Sequence, residues 1–344
     1  MRNFIFLCFA LCLGFSTLGQ SQQIDQLIED AIKKHDAGDY EAAIKLYDDA
    51  LKLEPKNTRA LAEKGFSLYR AGDFKACVKT CESAIKTAPK NSRYIMSYVT
   101  LGNALDALQE PQQSLKVYNR GLKVAPDFYL LHFNKSITYF GLKEYAKSLE
   151  SAELGSQYNR SHASSVNVMA TLLNGENRRI PALLTTMYFL VLEPSGDRAN
   201  GNFDLMKELL GANVEKKGNQ INITIPSGDE SSKRDDFSSV DLIFSLTIAT
   251  IGTKKEDKDK NEVELFQDRI SLLIASLTTN VDKKKGYYWE SLAPYFVALE
   301  NAGHLRAFCY WVNQPANKTY IADWLKENEQ KVATFREWHE AYEW

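Results

Sequence analysis

One spacing governs what this chain can fold into. "GDYEAA" begins at Gly38 and "GDFKAC" at Gly72, 34 residues later, and Pro55 and Pro89 are also 34 apart. Pro89 and Pro126 are 37 apart, one period plus three. The phrase "LEPKNTRA" at Leu53 returns as "LEPSGDRA" at Leu192, an interval of 139, which is four periods of 34 plus the same three. A period of this length marks a supersecondary unit that cannot bury its apolar face alone and must stack on copies of itself.

The period divides the chain into frames 24–57, 58–91, 95–128, 129–162 and 163–196. Position 8 of each frame is Ala31, Gly65, Gly102, Ser136 and Ala170, and position 20 is Ala43, Cys77, Ser114, Ser148 and Ala182. Both columns are small throughout, as close approach of two helices requires. Position 27 is Ala50, Ala84, Gly121 and Gly155 before Phe189 breaks the column, and position 32 is proline except at Arg160. Within a frame, Ala43, Ile44, Tyr47, Ala50 and Leu51 fall at helical i, i+3, i+4 spacing. Gly38-Asp39 and Gly72-Asp73 occupy the turn between helices, where positive φ and a capping carboxylate are wanted. Pro55 and Pro89 end the second helix.

With these columns the region resembles the tetratricopeptide repeat family. The resemblance implies an all-α solenoid, a right-handed superhelix of antiparallel helix pairs, with five repeats over residues 20–196. A mainly helical capping region is expected over 197–344, irregular at 218–236. "FDLMKELLGANVEKKG" reads as one amphipathic helix, Ile221, Ile223 and Ile225 as at most a short strand, and "DFSSVDLIFSLTIATIG" and "EVELFQDRISLLIASL" as further helices. "YYWESLAPYFVALENAGH" and "YIADWLKENEQKVATFREWHEAYEW" each read as a helix. All five tryptophans (Trp289, Trp311, Trp324, Trp338 and Trp344) lie in the last 56 residues, where a solenoid must cover its open face.

The first residues differ from the rest. Arg2 precedes an apolar run from Phe4 to Phe15, followed by the small residues Ser16, Thr17 and Gly19. This is the pattern of a signal peptide over 1–19, cleaved near Gln20, so the chain is expected to be exported to the periplasm or beyond. The run is too short for a membrane span. Cys8 and Cys12 lie inside it, away from the cleavage zone where a lipid-modified cysteine would stand. Cys77, Cys81 and Cys309 are the remaining cysteines, an odd number that forms no disulfide framework.

Chemistry is sparse. Forty-two basic against 44 acidic side chains leave a formal charge of −2, with no footprint for nucleic acid. Cys77 and Cys81 share a helix face, but they sit at repeat positions that call for buried small groups, and no further ligand stands near them. His304 and Cys309 lack an orienting third partner. No glycine loop for phosphate, HExxH or GxSxG motif is present. The chain therefore reads as a non-catalytic scaffold with no metal and no cofactor, and an enzyme ranks third.

In the resembled family, first helices line a concave groove through positions 2, 5, 9, 12 and 13. Carried over, these positions imply Arg59, Phe66, Tyr69 and Arg70 from the second repeat, Val99, Asn103 and Asp106 from the third, and Phe133, Ile137 and Phe140 from the fourth. The lysine–asparagine clamp that some relatives use on a terminal carboxylate is absent, since positions 5 and 9 are Ile28 and Ile32, then Ala62 and Phe66, then Val99 and Asn103. The expected partner is a protein or peptide segment held by aromatic and arginine anchors. The alternative is an envelope glycan stacked on the C-terminal aromatics.

Overall fold

The computed structural model describes residues 2–212, 214–217, 220–224, 235–249, 251, 257–280 and 284–344; side chains are described from residue 19 onward, except at 214–217, 220, 221 and 223. The chain forms two compact units, Met1–Tyr158 and Asn159–Trp344.

The first unit is four helix pairs: α1 (Arg2–Asp36) with α2 (Tyr40–Leu53), α3 (Thr58–Ala71) with α4 (Phe74–Thr87), α5 (Met96–Ala107) with α6 (Pro111–Leu122), and α7 (Tyr129–Gly141) with α8 (Tyr145–Tyr158). Each pair also packs on the next, α2 against α3, α4 against α5 and α6 against α7. The residues at positions 8 and 20 are buried in every frame. The reason for small side chains there is geometric. A Cβ added at Gly65 would stand 2.5 Å from Cys81 Sγ, and one added at Gly102 would stand 2.1 Å from Tyr118 Cε1. Position 8 of the first helix thus faces position 24 of the second. In the fourth pair Ser148 Oγ donates to the Ser136 carbonyl at 2.9 Å, so positions 8 and 20 also touch. The three residues by which the period slips form the short 3-10 turn Ser92–Tyr94 between α4 and α5, capped by Asn91.

The turn inside each pair is conformationally uniform although its sequence is not. Gly38 and Gly72 have φ near 80° (80° and 83°), and the equivalent Gln109, Lys143 and Asn177 also take positive φ, at 63°, 60° and 56°. In each case the following N–H donates back to a carbonyl five residues earlier, as Asp73 does to Leu68 and Glu144 to Tyr139. Asp39 and Asp73 then cap the second helix by accepting from the N–H of Ala42 and Ala76.

In the second unit α9 (Ala163–Gly175) pairs with α10 (Arg179–Leu192) as the fifth repeat. Every residue of α10 from Arg179 to Val191 is buried. It packs on α9, α11 (Asp197–Gly211), α12 (Ser238–Ile248), α15 (Leu292–Asn301) and α16 (Leu305–Val312). This explains why the compact units divide at 158/159, whereas the repeat pattern placed its boundary at 196/197. A helix that is apolar all round must be covered all round, and Phe189, which broke the small-residue column, is wholly buried. Arg179 ties the packing together, donating to Asp241 Oδ1 at 2.6 Å, Ser245 Oγ at 2.7 Å and the Leu209 carbonyl at 2.7 Å.

Three sequence expectations are corrected. The helix read through "VEKKG" stops at Gly211, and β1 (Val214–Lys217) pairs antiparallel with β2 (Gln220–Ile223); Ile225 lies outside the described residues. The stretch from Tyr287 divides at Ser291 into α14 (Tyr287–Glu290) and α15, and Ser291 Oγ donates to the Tyr287 carbonyl. The last stretch divides at Asn328 into α17 (Thr319–Glu327) and α18 (Glu329–Ala341). Asn328 Nδ2 donates to the Trp324 carbonyl at 3.0 Å, a side-chain bond that competes with the helical ladder. Between these, α13 (Glu262–Thr278) starts in a capping box of Asn261 and Glu264.

The expected leader falls at the start of α1, where the side chains of residues 2–18 lie outside the described set. Among the described residues no helix is long and apolar enough to cross a membrane.

Candidate functional site

The first helices of successive pairs contact one another, α1 with α3, α3 with α5 and α5 with α7. The residues named from the sequence stand on these helices, but they divide into three groups by what already holds them.

The second-repeat residues are engaged locally. Arg59 Nη2 pairs with Glu29 Oε1 at 2.7 Å, and Arg70 lies over the Tyr40 ring at 5.4 Å. Phe66 stacks on His35 with centroids 4.8 Å apart, and His35 Nδ1 is 2.8 Å from Ser67 Oγ. Burial in that stack pushes the His35 pKa down. Tyr69 is half-buried and tilts against Phe74 at 5.6 Å.

The third-repeat residues are buried or bonded to neighbouring helices. Val99 is only 4% exposed and belongs to the apolar core, so it offers a ligand almost nothing. Asn103 Oδ1 accepts from the Tyr118 hydroxyl at 2.6 Å. Asp106 Oδ2 accepts from Thr138 Oγ1 at 2.5 Å and stands 3.3 Å from the Tyr118 hydroxyl. Burial raises the Asp106 pKa, partly offset by these bonds. Asn103 and Asp106 therefore tie α5 to α6 and α7. Position along a repeat places a side chain on a helix face, but whether that face is covered depends on neighbouring helices.

The fourth repeat is open. On α7, Leu130, Phe133, Ile137 and Phe140 follow i, i+3, i+7, i+10 spacing. Leu130 and Phe133 are half-buried, while Ile137 is 44% and Phe140 42% exposed. Tyr145 on α8, which the sequence reading did not single out, is 46% exposed with its ring 5.7 Å from that of Phe140. Met96 on α5 is 42% exposed. Tyr145 stands on a second helix, outside the family's groove positions, so no repeat-based signal marks it.

The alternative ligand surface is largely consumed by packing. Trp289 is 1% exposed and stacks on Phe237 at 4.0 Å, with Nε1 donating to the Asp236 carbonyl. Trp311 donates to the Val191 carbonyl at 3.1 Å, and Trp324 stacks on Tyr310 at 4.0 Å. Trp344 stacks on Tyr295 at 5.0 Å with Arg160 4.8 Å from its ring centre. Cys77 and Cys81 are buried with sulfurs 3.9 Å apart, and the Cys81 thiol pKa is pushed up by its neighbour and by burial.

Residues 34–97 match the family model described as tetratricopeptide repeat. Among solved structures, a Pseudomonas aeruginosa pilF protein aligns at 20% identity over 56% of this chain and 84% of that chain, with a TM-score of 0.49. TTC0263, a TPR protein of Thermus thermophilus, aligns at 19% identity over 54% and 98% of the two chains, with a TM-score of 0.43. YrrB, described as a TPR protein with an unusual peptide-binding site, aligns at 16% identity over 55% and 97%, with a TM-score of 0.42. No curated protein sequence matches the chain.

Proposed function

We propose that this tetratricopeptide repeat protein is a non-catalytic, exported scaffold that holds an apolar segment of a protein partner on the open face of its third and fourth repeats. One observation carries the reading. Ile137 and Phe140 stand on successive turns of α7, more than two-fifths exposed, with the exposed ring of Tyr145 beside them. A cluster of large apolar groups left in water on a rigid helical frame is the usual mark of a contact surface. Met96 at the start of α5 is exposed to a similar extent, at 42%. Spacing at three and four residues along α7 suits an amphipathic helix or an extended segment with alternating anchors. Asn103 and Asp106 serve as braces that hold α5, α6 and α7 in register, so the anchors keep their geometry without a ligand. The leader-like start of the sequence supports export.

The test uses the mature chain, residues 20–344, as bait against its own envelope fraction. Ile137→Glu puts a charge in the centre of the patch, and Phe140→Ala removes an anchor. Each should weaken partner capture by roughly fivefold or more, equivalent to about 1 kcal/mol, while far-UV circular dichroism stays unchanged. Undiminished capture by both folded variants would remove α7 from the interface. Amino-terminal sequencing of the cell-derived protein tests export, with a start near Gln20 expected.

A further inference from the structure

A cavity of about 510 Å³ in the second unit is built from two helical stripes. Phe203, Met206, Lys207 and Leu210 line it from α11 at i, i+3, i+4, i+7 spacing. Glu262, Leu265, Phe266 and Arg269 line it from α13 at the same spacing. The turn holding Asn313, Ala316 and Lys318 borders it. Two matched stripes across a shared space would ordinarily interdigitate; here they stand apart around a void of the size that small organic ligands occupy.

Arg269 is the anomaly in that wall. Its Nε is buried with no hydrogen-bond partner among the described residues. Burial is what pushes its pKa down. The contrast with the buried Arg179 is direct, since that guanidinium meets a carboxylate, a hydroxyl and a backbone carbonyl. A buried donor without an acceptor is costly, and native proteins almost always satisfy such groups. Three cations line the cavity (Lys207, Arg269 and Lys318) against Glu262, and Lys207 is already paired with Asp204 at 2.7 Å. Among the described residues, these three positive charges less Glu262 and Asp204 leave one uncompensated, enough for a monoanion. The guanidinium fork matches a planar carboxylate in two parallel bonds, and the phenylalanine, methionine and leucine side chains suit an apolar body.

We propose that this cavity binds an organic monocarboxylate with an apolar body, its carboxylate on Arg269 and its body between the stripes of α11 and α13. The site is separate from the α7 patch and does not depend on it.

The test is calorimetric titration of the intact mature chain with octanoate, octanol, acetate and octyl phosphate. Octanoate should saturate at one per chain, octanol should bind roughly tenfold or more weakly for want of the charge, and acetate should not saturate. Arg269→Met should lose octanoate by a similar factor while its thermal midpoint holds or rises, because an unsatisfied buried donor has been removed. Arg269→Lys should fall between. No saturable octanoate binding, equal affinity for octanol, or unchanged affinity in Arg269→Met would each overturn the assignment. Tighter binding of octyl phosphate than of octanoate would overturn the carboxylate. The octanol comparison uses the unmodified protein, so it decides the matter even if a variant folds poorly.

Discussion

Replacing Gly102 with alanine should destabilise the first unit, although alanine is the better helix former. The added Cβ would stand 2.1 Å from Tyr118 Cε1, 2.5 Å from Cζ and 2.7 Å from Cδ1. Carbon contacts are comfortable at about 3.5–4.0 Å, so ring or helix must retreat by more than about 1 Å. The ring has little freedom to do so. Tyr118 is fully buried and its hydroxyl is held by Asn103 at 2.6 Å. Overpacking costs about 1–3 kcal/mol, and a contact this close to a held ring belongs in the upper part of that range, about 2–3 kcal/mol. Set against a helix-propensity gain of about 1 kcal/mol, the net loss is roughly 1–2 kcal/mol. At roughly 2–4 °C per kcal/mol for a unit of this size, the thermal midpoint should drop by several degrees. Urea unfolding followed by far-UV circular dichroism measures the loss directly. Gly141→Ala is the control, since nothing lies within 4 Å of a Cβ there. In a Tyr118→Ala background the Gly102→Ala change should cost almost nothing, because the clashing ring is gone. A Gly102→Ala protein as stable as the parent would refute the packing of position 8 against position 24.

All five histidines (His35, His132, His162, His304 and His339) are held below their ordinary pKa of 6.5, chiefly by burial. The unfolded chain therefore takes up protons that the folded chain refuses, so their contribution is whole above pH 6.5 and is lost as pH falls below it. Urea midpoints should decline between pH 7 and pH 5, less steeply in His132→Asn, and a flat profile would contradict this. Asp241→Ala should cost about 3–5 kcal/mol by leaving Arg179 buried without its counter-charge, read as a shift in urea midpoint; a loss under 1 kcal/mol would show the pair to be dispensable. Lys143→Gly should stabilise by about 1 kcal/mol, because glycine takes the left-handed φ of 60° without a Cβ penalty; an unchanged thermal midpoint would argue against strain at that turn.

The repeat architecture was legible in the sequence because it is nearly one-dimensional. Each helix pair meets mainly its neighbours, so the same contact recurs every 34 residues and leaves the same small side chain behind. That logic located the five frames, the turns at Gly38 and Gly72 and the three-residue slip that becomes the Ser92–Tyr94 turn. The same positive φ at Gln109, Lys143 and Asn177 left no such trace, because the backbone bonds of the turn impose it on whatever residue stands there. The candidate site was legible only as a set of helix positions. Tertiary packing decided that Val99 is core, that Asn103 and Asp106 brace α5 against its neighbours, and that Ile137 and Phe140 remain in water. It also decided that α10 is the centre of the second unit and that Arg269 lines a cavity with its Nε buried and unpartnered among the described residues. Periodicity fixes which face of a helix a side chain occupies, whereas burial and pairing depend on elements tens of residues away, whose approach no local spacing encodes.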